Sequence, residues 1–276
     1  MVHMTKRSKL GIFEYGFMQN ALIAALLCAV ICGVVGAYVV SARLVFLSGS
    51  VSHATFGGVG LGYLLGFNPI IGAFIFALGG ASILSLARER GVSEDTAAGA
   101  LWPAGMALGA LFIGLSAGYA PDLFSYLFGN ILTVTSSDLW LLGSVVILTL
   151  ALVLTFSRQL FLYCYDNEYA QTRGINTKMI SLILFALIAI ASVALIKVVG
   201  IILVIAMLSM PAGMARLFTN TLRKTALWAV IIAATVSIAG LVISFYLDLA
   251  SGAAIVVLLA IVFAVAILLK NILKKL

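Results

Sequence analysis

The sequence predicts an all-α fold, a polytopic bundle of transmembrane helices. Three observations predict it. Of 276 residues, 64% are apolar and only 9% charged, whereas a soluble domain is about a quarter charged. The mean hydropathy is +1.24. Apolar runs of about 20 residues recur along the chain, the length a helix needs to cross a bilayer. In lipid the backbone must satisfy its own hydrogen bonds, which leaves helices or a closed barrel. The runs are continuous rather than alternating, so they read as helices. The whole chain, 1–276, reads as one transmembrane domain.

Nine apolar segments follow in order, at about 18–40, 46–66, 70–87, 97–117, 138–157, 179–196, 198–210, 225–246 and 251–269. The seventh is too short to cross alone, so the sixth and seventh read either as two spans or as one span with a broken end. Nine spans with the N-terminus outside put twelve Lys/Arg in inner loops and leave Lys6, Arg7, Lys9 and Lys197 outside. The positive-inside rule then favours N-out, C-in. An eight-span chain with both ends inside remains the alternative. The net charge of +7 reads as these orientation signals rather than as a nucleic-acid surface.

Two loops are long. The outer loop 118–137, "GYAPDLFSYLFGNILTVTSS" with Asp138 following, mixes aromatics with turn residues and can hold a short interfacial helix. The inner segment 158–178, "RQLFLYCYDNEYAQTRGINTK", is the most polar stretch. Asp166 or Asn167 can cap a short helix there and Gly174 can end it.

Few residues can carry chemistry at membrane depth, where ionisable groups are costly. His53 opens the second segment, and Glu94 and Asp95 precede the fourth. Both segments run from inside to outside, so imidazole and carboxylates fall at similar depth toward the cytoplasmic side. That donor pair suits Zn²⁺, Mn²⁺ or Fe²⁺. The competing reading makes His53 a packing residue and Glu94–Asp95 a solvated helix start, where acids are favoured anyway. Gly57, Gly58, Gly60, Gly62 and Gly66 give a small-residue face for close helix packing or a smooth wall beside a path. Cys28, Cys32 and Cys164 form no disulfide framework, Met207 and Met210 read as core filler, and Pro211 as a helix end. No Gly-Lys dipeptide occurs, so no GxxxxGK[ST] phosphate loop exists and no set of catalytic residues suggests itself. The chain reads as a transporter rather than an enzyme, driven by a partner or by an ion gradient.

Several ordered stretches resemble the metal-cation permease family of ABC importers. They are "FMQNALIAALLCAVICGVVGAYVVSARL", "SHATFGGVGLGYLLGFNP", "SEDTAAGALWPAGMALG", "DLFSYLFGNILTVTSSDL" and "VGIILVIAMLSMPAGMARLF". The resemblance covers nearly the whole chain. It implies a type II ABC importer-like bundle in the bacterial inner membrane, with the C-terminus cytoplasmic. It implies a homodimeric permease for Zn²⁺, Mn²⁺ or Fe²⁺ working by alternating access, two cytoplasmic ATP-binding subunits, an extracytoplasmic metal-binding protein and no permanent cofactor. Carried over by position, His53 and Asp95 are the metal-path residues. The segment with Asp166, Glu168, Ala170 and Gly174 is the coupling element, its small positions at Ala170 and Gly174. One departure stands out: many members carry Gly-Asp shortly before the histidine, and here that place reads Ser48-Gly49. The ion then needs another oxygen, from Glu94 or a backbone carbonyl. The rival class is a secondary transporter of a small cation. It calls for buried mid-membrane carboxylates and repeated halves, which the sequence does not display.

Overall fold

The computed structural model describes residues 15–116 and 129–273. Those residues form ten α-helices, a 3₁₀ turn at Ile131–Thr133 and no strand. The helices are α1 (Gly16–Ser41), α2 (Val45–Leu65), α3 (Pro69–Glu89), α4 (Glu94–Leu115) and α5 (Ser136–Thr155). Two short ones follow, α6 (Ser157–Tyr165) and α7 (Asn167–Thr172), then α8 (Thr177–Phe218), α9 (Leu222–Leu247) and α10 (Ser251–Leu273). Seven described helices are long and apolar enough to cross a membrane, and α2 is not among them. Most of the outer loop 118–137 lies outside the described residues.

Local chemistry sets the helix ends. The Asn68 side chain accepts the Ile70 N–H with Pro69 in the first turn of α3, and Ser93 accepts the Thr96 N–H at the start of α4. Gly66 ends α2 at φ 73°, a left-handed position that glycine occupies without strain. Pro211, read as a helix end, lies inside α8, which runs on to Phe218. That reading is corrected: in a packed membrane bundle neighbouring helices and local adjustments tolerate the missing N–H.

The predicted sixth and seventh segments are one 42-residue element interrupted only at Gly200, with φ 78° and ψ 161°, a conformation essentially restricted to glycine. The chain doubles back there. Near its start, Lys178 pairs with Glu89, whose neighbour Arg88 donates to the Tyr163 hydroxyl. Near its end, Arg216 donates to the Tyr165 hydroxyl, two residues along the same short helix α6. A straight helix would separate Lys178 and Arg216 by about 57 Å at 1.5 Å per residue. At the turn itself, the Val199–Gly200 backbone packs against Gly129, and Lys197 pairs with Asp138 at the start of α5.

These contacts define two ends of the bundle. The Ser41 end carries α6, α7, Lys178 and Arg216. The Asn20 end carries Gly200, Asp138 and the Val134 carbonyl, which accepts from the Asn20 amide. The core is built around α1, α2 and both halves of α8. Every residue from Leu47 to Gly60 is buried, which explains how α2 carries serines and a histidine without facing lipid. By contrast α10 exposes Val257, Ile261, Val265 and Leu268, as a lipid-facing helix does.

Candidate metal pathway and coupling surface

Helix α2 is pressed between α3 and α4 by its glycines. A Cβ on Gly58 would stand 2.0 Å from the Gly72 oxygen, and one on Gly105 would stand 2.5 Å from the Ala54 Cα. Successive contacts pair Gly49 with Trp102, Ala54 with Gly105 and Gly60 with Gly109, so α2 and α4 run parallel. The glycine face is therefore a packing face, as small-residue stripes in membrane helices usually are.

That packing decides what His53 touches. Its imidazole is buried and stacked on the Trp102 indole, with ring centroids 4.3 Å apart and planes 18° from parallel. Its Nδ1 lies 3.2 Å from the Met106 sulfur. One residue earlier, the Ser52 hydroxyl stands 2.9 Å from Ser192 Oγ and ties α2 to the first half of α8. A Cβ on Gly49, the position singled out above for its missing acid, would already press on Trp102 at 3.3 Å. Trp102 and Met106 were not singled out from sequence. Their spacing of four, one helical turn on the same face, was the available signal.

Glu94 and Asp95 open α4. Glu94 pairs with Arg88 at 2.9 Å, and Asp95 is exposed. Asp95 lies seven residues before Trp102, about 10 Å along a helix rising 1.5 Å per residue. Within one chain the structure thus places the imidazole and the acids in the same half of the bundle but not in one coordination sphere. Among the described residues no group of three His, Cys, Asp or Glu could hold a metal ion.

The polar inner segment is a helix–cap–helix unit. The Asp166 carboxylate caps α7 by accepting the Tyr169 N–H at 2.8 Å. Gly174, at φ 73°, ends the unit, and Asn176 caps α8 in turn. Ala170 is fully buried, so its small size serves the seating of α7 on its own chain. Glu168, Tyr169, Gln171, Thr172 and Arg173 form the exposed face, and Gly174 has open space where a Cβ would sit. Two arginine–tyrosine pairs hold the unit to the bundle. Arg88 sits over the Tyr163 ring at 5.1 Å and Arg216 over Tyr165 at 5.0 Å. Burial pushes the Tyr163 hydroxyl pKa up, despite the nearby Arg88 charge, so it stays protonated through the physiological range. Arg88 also holds Glu94, so one guanidinium joins α6 to the first turn of α4.

At the other end, Lys197 and Asp138 join the Gly200 turn to α5. The Asp138 carboxylate is buried and also accepts from the Thr135 hydroxyl at 2.6 Å and the Thr135 N–H at 3.1 Å.

Fold and site together define a multi-pass helical membrane protein whose polar segment is clamped to the bundle at one end. A model of the ABC 3 transport family matches residues 14–270, and the chain belongs to that family. It is 38% identical to an uncharacterized membrane protein of Synechocystis over 92% of this chain and 91% of that one. It is 35% identical to the manganese transport system membrane protein MntC of Listeria innocua, over 94% of this chain and 92% of the relative. Its structure resembles that of PsaBC from Streptococcus pneumoniae, solved in complex with Fab, with TM-score 0.83 and 33% identity. That match covers 93% of this chain and 92% of the other.

Proposed function

We propose that this chain is the permease subunit of an ATP-driven manganese importer. The observation that carries the reading is its match, over nine-tenths of both chains, to permeases named for manganese transport. The chain has no phosphate-binding loop, so hydrolysis belongs to a partner. Nine crossings, N-out and C-in, follow if each half of α8 is one span, with the Ser41 end cytoplasmic. The contacts that bring Lys178 and Arg216 to the same short helix support that count.

In this reading two copies face each other and each contributes one His53 to the path. With Gly49 in place of an acid, the ligand set is sparse, which suits a carrier that must release its cargo. Trp102 covers the imidazole, so an ion reaches it only when α4 shifts against α2. The Arg88 bridge between Tyr163 and Glu94 supports a route for that shift: the ATPase moves α6 and α7, and α4 follows by its first turn. Glu94 is then a positioning residue, and Asp95, exposed one residue on, stays available to a cation entering or leaving at the cytoplasmic side.

The test is uptake by the purified permease reconstituted with its ATP-binding subunit and its metal-binding protein. Manganese uptake should require ATP and exceed zinc and iron uptake. His53→Ala should lose most uptake while the complex still assembles. Uptake that persists without ATP and collapses with the proton gradient would instead support a secondary transporter.

A further inference from the structure

A cavity of about 540 Å³ opens at the Ser41 end, lined by Tyr38, Ser157, Arg158, Phe161, Thr221, Leu222, Arg223 and Lys224. Three exposed cations, Arg158, Arg223 and Lys224, line it, and none of them has a carboxylate partner among the described residues, whose ion pairs are Arg88–Glu94, Lys178–Glu89 and Lys197–Asp138. Two helices begin at its wall, α6 at Ser157 and α9 at Leu222, and neither has a side-chain cap. At α9 the free N–H groups and the positive end of the macrodipole therefore add to the cationic charge, whereas at α6 the C-terminal end of α5, one residue away across Phe156, offsets them. Basic residues in a first helical turn are unfavourable by themselves, so Arg158, Arg223 and Lys224 leave a local excess of positive charge. A separate observation points the same way. Tyr38 is 6% exposed, lines the cavity, and its hydroxyl has no hydrogen-bond partner among the described residues.

We propose that this cavity binds the phosphate headgroup of an anionic phospholipid. A phosphate diester supplies the missing negative charge and acceptors for guanidinium, hydroxyl and N–H donors. The lipid, rather than a soluble phosphate, follows from what lies next to it. Trp228, one turn beyond Lys224 on α9, lines a second groove with Ala215, Phe218, Thr219 and Ile232, almost wholly apolar and fit for an acyl chain. Basic pockets at the cytoplasmic ends of membrane helices hold such headgroups, and the proposed topology puts the Ser41 end on that side. The site is independent of the metal path and of which ion is carried.

The test is a thermal-shift titration of the purified full chain in neutral detergent, with dioleoyl phosphatidylglycerol, dioleoyl phosphatidylcholine or inorganic phosphate. Phosphatidylglycerol should stabilise at least fivefold lower concentration than phosphatidylcholine, and inorganic phosphate should have no effect at matched concentration. Arg158→Gln with Arg223→Gln should abolish the difference between the lipids. Arg43→Gln with Arg90→Gln, the same charge loss at exposed positions outside this cavity, should preserve it. Tyr38→Phe, which keeps the ring, should weaken the preference about threefold. Equal effects of the two lipids, equal losses in both double variants, or saturation by inorganic phosphate alone would each overturn the proposal.

Discussion

Gly58→Ala offers a direct measure of how tightly α2 is held. A Cβ at that position would lie 2.0 Å from the Gly72 oxygen and 2.3 Å from its carbonyl carbon, while ordinary contact begins near 3.4 Å. The obstacle is backbone, so no rotamer change relieves it. The two helices must part by about 1.4 Å at this crossing, and even a 0.5–1 Å gap forfeits roughly a quarter to a half of each dispersion contact beside it. Phe76 against Gly57 borders the same interface and loosens with it. Overpacking of this kind costs about 1–3 kcal/mol, and a rigid obstacle places Gly58 near the upper value. At roughly 2–4 °C per kcal/mol for a chain of this size, the thermal midpoint should fall by about 6–12 °C. The control is Gly79→Ala on the exposed side of α3, where nothing lies within 4 Å of the new methyl. It relieves the helical glycine penalty of about 0.5–1 kcal/mol and should hold or raise the midpoint. Midpoints are read by fluorescence-detected thermal unfolding in one detergent. Were Gly58→Ala as stable as Gly79→Ala, the close backbone crossing of α2 and α3 would be wrong, and with it the setting of His53 five residues away.

Lys197→Met strips the ammonium from the buried Asp138 carboxylate. It should cost about 3 kcal/mol, the lower end for breaking a buried pair because the lysine is half exposed. Adding Asp138→Asn should recover much of that loss, and strictly additive midpoints would refute the pairing. Thr172→Cys should react with an impermeant maleimide only from the cytoplasmic side. The native thiols stay quiet, Cys28 and Cys32 by burial and Cys164 because burial pushes its pKa up to about 12; labelling from outside would overturn the topology. Gly174→Val places a β-branched residue at φ 73°, at a cost of about 1–3 kcal/mol of local strain. It should lower metal-stimulated ATP hydrolysis in the assembled complex, and unchanged stimulation would remove Gly174 from the coupling unit.

Part of the candidate site was legible in one dimension. His53 stands out because an imidazole in an apolar run is costly wherever it lies, and Gly174 because a polar segment must end before the next helix begins. What surrounds them was not legible. Nothing local says that Trp102 rather than lipid covers His53, that Arg88 turns Glu94 toward Tyr163, or that Ala170 faces inward. Each of these joins residues that are distant in the chain or on separate helices.

The sequence alone determined that this protein is a bundle of membrane helices, because hydrocarbon tolerates no unpaired backbone and run length sets the span. It also marked the ends of the polar inner segment, where Asp166 caps α7 and Gly174 takes the left-handed conformation. Only the tertiary structure decided which faces meet, that α2 is buried from Leu47 to Gly60, and that the chain reverses at Gly200. The reason is physical: lipid and protein interior are both apolar, so hydrophobic periodicity no longer reports which face of a helix is buried, and only the fit of small residues against particular neighbours does.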